Sequence, residues 1–262
     1  MRNAIMLVSS MLLALSTASR AEVSATHQYT SPWRTPWTYE GPRGSDHWAQ
    51  LDPDYAACGG QAQSPIDIHD AQPADLPALR FEYHSAAIDY VTNNGAAIRV
   101  DYEAPGSGDF LIVGDTRYQL VQFHFHRPSE ETIDGKRFAL VAHLMHRSSD
   151  GQVAGVAVLL EVGAANPLLE QLRPHMPKHE GEQKVSGLMI DPADLLPVKK
   201  GYYTYEGSQT APPCHEGVKW FVLKTPVQVS AAQLKALAQI YAHDVRRVQP
   251  LNGRIVQQTR AD

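Results

Sequence analysis

Residues Tyr118–His126 alternate apolar or aromatic side chains with polar ones and are rich in strand formers, ending in Gln122-Phe123-His124-Phe125-His126. That alternation specifies a β-strand, whose side chains repeat on one face every two residues. His124 and His126 therefore share a face, with Cα atoms roughly 6–7 Å apart. Phe138–His146 carries a second strand pattern and contains Leu140-Val141-Ala142-His143-Leu144-Met145-His146. The link between the two strands holds Asp134-Gly135, a hairpin turn pair. A hairpin lays His143 beside His124 and His126. Three neutral imidazoles with a fourth position open is an arrangement that holds catalytic zinc. A lone His on a strand is more often a half-buried structural side chain, and the His-x-His pair alone leaves the two readings about even. A third His on the paired strand favours metal. His146 has the opposite parity to His143 and reads as structural.

The rest of the chain frames this pair of strands. Met1–Ala21 has the pattern of an export signal, with Arg2 at its start, an apolar core at Ile5–Leu15, and small residues at Ser19 and Ala21. The apolar run is too short to span a membrane, and no other run approaches spanning length. The expected mature protein, residues 22–262, is periplasmic or secreted. It shows no repeat, low-complexity block or long linker, so one domain is expected. A net charge of −5 leaves no basic footprint for nucleic acid. Residues 22–36 belong to a polar, Pro-punctuated arm, expected to be disordered at its start. Cys58 and Cys214 are the two cysteines of the chain, and in an exported protein such a pair suggests one disulfide. The chain-entropy model gives an upper figure of ~5 kcal/mol for closing so long a loop.

Further strands are expected at Phe81–Tyr83, Ile88–Asn93, Ala97–Tyr102, Phe110–Val113, Val153–Val162, Gly201–Glu206 and Lys219–Val229. The unbroken apolar run Val156–Leu160 suits a strand buried on both faces. Helices are few: a short one within Asp46–Tyr55 capped by Ser45 or Asp46, Asn166–Leu172, and Ser230–His243 with Ser230 as cap. The expected fold is mainly β, a β-rich α+β arrangement with one large central twisted, mostly antiparallel sheet and short peripheral helices. His175 and His179 have metal-like spacing for a helix, but Pro174 and Pro177 argue for a loop.

Three more segments carry a family signature: Gln63-Ser64-Pro65-Ile66-Asp67-Ile68, Ser129-Glu130-Glu131-Thr132 and Gly207-Ser208-Gln209-Thr210-Ala211-Pro212-Pro213-Cys214. With the His-bearing strands, Asn93-Asn94-Gly95 and Val248-Gln249-Pro250-Leu251-Asn252, they resemble the α-class carbonic anhydrases of bacteria, from about Trp37 to Val256. Carbonic anhydrase is itself the standard example of a three-His zinc site. The resemblance implies the α-carbonic-anhydrase fold and a Zn2+ cofactor on His124, His126 and His143. It further implies reversible hydration of CO2 to bicarbonate and a proton by a zinc-bound hydroxide. Thr210 would accept the hydroxide's proton in a hydrogen bond, donate its own to Glu130, and polarise CO2 through its backbone N–H. Gln122 would orient His124. Met145, Gly155, Gln209, Val218 and Trp220 would line the substrate pocket, and Cys58–Cys214 matches the bacterial disulfide.

The chain departs from that family at five points, one of them Ala211 in place of a common Thr. Ala96 stands where a proton-shuttling His is common. Val141 stands where a Glu usually holds the third imidazole, which leaves His143 without that partner. Gly155 and Gln209 replace a Val and a Leu of the CO2 pocket. The departures at Ala96 and Val141 point to reduced efficiency. Two rival readings are a zinc esterase with a pocket widened by Gly155, and a non-catalytic zinc-binding relative. The residues do not specify an oligomeric state.

Overall fold

A computed structural model describes residues 29–102, 108–241 and 243–260. The expected export signal, Met1–Ala21, and the first residues of the arm lie outside the described residues. The core of the molecule is a sheet of 13 strands. Ten run in order from Gly181–Ile190 at one edge through Ala86–Asn93, Ile98–Asp101, Thr116–His126, Leu140–Ser148, Val153–Val162, Glu216–Leu223, Tyr202–Ser208 and Gln257–Thr259 to Gln72–Ala74. Pairing is antiparallel except where Val153–Val162 meets Glu216–Leu223 and Val227–Val229, and where Gln257–Thr259 meets Gln72–Ala74.

The central strands are buried on both faces, which is why Val156–Leu160 reads as a continuous apolar run. Their alternating side chains separate into two cores. Phe123, Phe125, Ala142, Leu144, Val156, Val158 and Leu160 pack on the larger one. Val141, Ala157 and Leu159 join Ile66, Ile68, Val222 and Trp220 in a smaller one on the other face. Each fully buried side chain of Leu or Phe size contributes roughly 1.5–3 kcal/mol relative to exposure. The smaller core shares its face with Gln122, His124, His126, His143 and Met145, so the histidines stand on a rigid, two-sided slab.

Several boundaries differ from those expected. The two His-bearing strands pair antiparallel, with His143 opposite His124. The Asp134-Gly135 turn, with φ of 49° and 73°, does not join them directly. It closes a small hairpin, Thr132–Ile133 with Lys136–Arg137, which forms a second sheet with Asp67–Ile68. Lys219–Val229 is two strands, interrupted at Pro226, which has no N–H for a ladder. The first helix spans Trp48–Leu51, with His47 rather than Ser45 or Asp46 at its cap, and Pro53 starts a separate 3-10 segment. The last helix has the Ser230–Gln233 capping box but ends at Ala238. Beyond it the chain turns inward, where Tyr241 Oη donates to Phe125 O at 3.4 Å. His175 ends a short 3-10 segment and His179 lies exposed in a loop.

Candidate metal centre

Strand register brings three imidazoles together. The ring centroids of His124 and His126 are 4.9 Å apart, and His143 lies 5.3 and 5.2 Å from them. One nitrogen from each ring falls within 4.8 Å of the others, the one such group of three metal-binding side chains among the described residues. The outer nitrogens are all engaged. His124 Nδ1 bonds Gln122 Oε1 at 2.9 Å, His126 Nδ1 bonds the Asp244 carbonyl at 2.8 Å, and His143 Nε2 bonds Glu131 Oε1 at 2.9 Å. Each partner is an oxygen that accepts, so each of these nitrogens carries the hydrogen. The inner atoms, Nε2 of His124 and His126 and Nδ1 of His143, are the ones free to face a shared cation. His126 Nε2 and His143 Nδ1 are buried without a hydrogen-bond partner. Orphaned buried nitrogens are costly and rare, and a shared cation accounts for both. Imidazoles oriented through their far nitrogens fit zinc.

The surrounding charges are strong. Burial and the neighbouring His126 and His143 hold His124 well below its ordinary range. Burial also acts to lower His126, but Glu130 and Asp244 outweigh it and carry it up to about 9. Burial pushes the Glu131 carboxyl up, yet His143 more than offsets this, so it lies below its usual value. Glu130 is fully buried; its Oε1 accepts from Arg246 N–H at 2.8 Å. Its Oε2 lies 3.6 Å from His126 Nε2 and has no hydrogen-bond partner. The expected Thr210–Glu130 hydrogen bond is therefore not made; the free oxygen leans toward the imidazoles. Thr210 lines the same cleft, of about 310 Å³, with the three histidines, Gln122, Met145 and Trp220. Its loop is tied down by the Cys58–Cys214 disulfide, with Cα atoms 4.8 Å apart.

Comparison with known families settles the kinship. The model of the eukaryotic-type carbonic anhydrase family matches residues 43–260. This chain belongs to the carbonic anhydrase family. It is 38% identical over 237 residues to the carbonic anhydrase of Nostoc sp., covering 87% of this chain and 88% of that one. It is 40% identical over 222 residues to the carbonic anhydrase of Klebsiella pneumoniae, covering 84% and 89%. The α-carbonic anhydrase of Thermovibrio ammonificans, solved with the inhibitor sulfanilamide, superposes with a TM-score of 0.80 at 41% identity, covering 85% of this chain and 99% of that one.

As a carbonic anhydrase the chain has an altered pocket wall, and two expectations about it need correction. Gly155 does not widen the cleft. A Cβ on it would lie 2.7 Å from Cε3 and Cζ3 of Trp220, so the indole fills that space. Trp220 then packs on His143, centroids 4.8 Å apart, and donates from Nε1 to Ser208 O at 3.0 Å. The esterase reading loses the widened pocket on which it stood. Neither Gly155 nor Val218 is on the cleft wall; Val218 is buried in the smaller core. Gln209 stays on the wall at the rim, its N–H donating to His215 O at 3.0 Å. Val141 lies in the smaller core, but His143 is not left without an acceptor, because Glu131 supplies one.

His146 is buried on the opposite side, 2.6 Å from Tyr83 Oη through Nε2. His47 and His69 are exposed and off the cleft wall, whereas Ala96 is on it. Sequence reasoning missed Glu131, Asp244 and Arg246. Glu131 was visible as the second acid of Ser-Glu-Glu-Thr, adjacent to a residue already assigned to the site. Asp244 acts through its backbone carbonyl, which no side-chain pattern reports.

Proposed function

We propose that this protein is a zinc-dependent carbonic anhydrase that reversibly hydrates CO2 to bicarbonate and a proton, after export to the periplasm or beyond. The observation that carries this is the convergence of three imidazole nitrogens within 4.8 Å on the wall of the cleft, each ring fixed through its other nitrogen. His124, His126 and His143 would hold the ion. Zinc in such a site supplies the Lewis acidity that makes water nucleophilic near neutral pH, as is known of carbonic anhydrases generally.

The chain's own residues supply orientation and shape. Gln122, the Asp244 carbonyl and Glu131 hold the three rings in one tautomer each. Thr210 offers a hydroxyl and a backbone N–H to the reacting oxygens, the role of an oxyanion donor. Glu130, with one oxygen unpartnered and buried, is the acceptor available to that hydroxyl when the loop and the reactants are in place. Trp220 and Met145 give an apolar wall suited to CO2, and Gln209 adds a polar rim. Beyond the triad, no histidine lines the cleft among the described residues. With Ala96 at the shuttle position, the proton leaves through water to external buffer, which slows turnover. The Cys58–Cys214 bridge agrees with an oxidising compartment. Metal analysis with stopped-flow CO2 hydration on one preparation tests the proposal; zinc-free protein of full activity would defeat it.

A further inference from the structure

We propose that Glu131 is the positioning residue for His143, replacing a contact that the His143 strand itself does not make, and that Val141 is tolerated because of it. The inference rests on the zinc reading above. Val141 and His143 are two residues apart on one strand and share a face, so position 141 is where a carboxylate on the same strand could reach the ring. It is instead an apolar residue with no exposure, packed with Ile66, Ala157 and Trp220. The acceptor comes from the link between the strands. Glu131, also without exposure, places Oε1 at 2.9 Å and Oε2 at 3.2 Å from His143 Nε2.

Glu131 is held from both sides. On one side, Ser129 N–H donates to Phe138 O at 3.0 Å, Phe138 N–H donates to Ser129 Oγ at 2.9 Å, and Ser129 Oγ donates to Glu131 O at 2.7 Å. On the other, Thr132 Oγ1 donates to Asp67 Oδ1 at 2.5 Å, which also accepts from Gly135 N–H at 2.9 Å. The carboxylate is thus built into a pinned backbone. His143 is the one side chain it bonds. A cation on the far nitrogen of that imidazole would strengthen the pairing of the ring with the buried carboxylate. A carboxylate behind a metal-bound imidazole raises its basicity and fixes its tautomer, here with Nδ1 facing inward. The ring offers a single N–H on that side. A second carboxylate at 141 would therefore be buried without a donor, so the two positions are coupled alternatives.

The test uses the full-length zinc-loaded protein and follows zinc transfer to a chromogenic chelator, with thermal unfolding of the zinc-free forms in parallel. Glu131→Ala is expected to release zinc about 10–100-fold faster, the usual cost of losing such a partner. Glu131→Gln is expected to fall between it and wild type. Glu131→Gln keeps an oxygen that can accept from His143 Nε2, so the zinc-free protein should stay close to wild type in stability. A glutamate with only a structural role would lower both quantities together. Val141→Glu in the Glu131→Ala background is expected to recover part of the retention, whereas Val141→Glu alone should not improve it. Release rates for Glu131→Ala and Glu131→Gln equal to wild type would overturn the inference, as would tighter zinc in the Val141→Glu single variant. If Glu131→Ala does not fold, Glu131→Gln carries the comparison. A wild type that takes up no zinc instead defeats the proposed function, and this inference with it.

Discussion

Trp220 occupies the volume that a side chain at Gly155 would need. The two residues are paired in parallel register on neighbouring strands, and a Cβ at 155 would lie 2.7 Å from the indole's Cε3 and Cζ3. The ring cannot yield easily, because it packs on His143 and is anchored through Nε1 to Ser208 O. Gly155→Val is therefore expected to destabilise by about 1–3 kcal/mol, the usual cost of overpacking a core, and to lower the efficiency of CO2 hydration by displacing Trp220. Urea unfolding measures the first effect. Stability equal to wild type would show that the indole has room to move.

The ligand set makes a separate expectation. His124→Ala, His126→Ala and His143→Ala should each remove bound zinc and activity, read by metal content per chain. His146→Ala should keep the metal, because His146 lies in the opposite core against Tyr83. Loss of zinc from His146→Ala with retention in His143→Ala would reverse the assignment of faces.

His146 has a consequence for acid stability. Burial pushes its pKa from 6.5 down to about 3. The folded state thus disfavours its protonation, while the unfolded chain protonates near 6.5. Its contribution is fully present above pH 6.5 and is lost progressively as pH falls from 6.5 toward 3, at up to 1.36 kcal/mol per pH unit. His146→Gln is expected to lose about 2 kcal/mol less than wild type between pH 6.5 and 5, by urea unfolding at both pH values. Parallel declines would mean that another group takes up the proton.

In the proposed reaction, Ala96 stands where a proton shuttle would act. An alanine carries no proton, and the exposed His47 and His69 are off the cleft wall. Turnover at saturating CO2 should then rise steeply with buffer concentration, while the rate at low CO2 should not, because the proton leaves after the chemistry. Ala96→His, with a pKa near that of a neutral shuttle, should raise turnover in dilute buffer several-fold. A flat buffer response at saturating CO2 would place the slow step elsewhere.

The His faces were legible because strand parity is rigid: two residues apart means the same side, and the aligned strands set His143 opposite His124. The capping box at Ser230 and the double-sided burial of Val156–Leu160 were legible for the same local reason. What sequence patterns did not reveal depends on contacts between distant segments. Glu131 reaches His143 only because the Asp134-Gly135 turn closes a minor hairpin rather than the main one, which folds the link over the ring. Gly155 suggested empty space because a missing side chain says nothing about which neighbour fills it. The helix after Ser230 stops at Ala238 because tertiary contacts at Tyr241 and Asp244 outweigh helical periodicity.

The most direct measurement is the stopped-flow rate of CO2 hydration on one sample taken through zinc removal and stepwise zinc return. The expected result is loss of activity with the metal and full recovery at one zinc per chain. Activity that survives complete zinc removal, or a protein that holds one zinc per chain and hydrates no CO2, would contradict it.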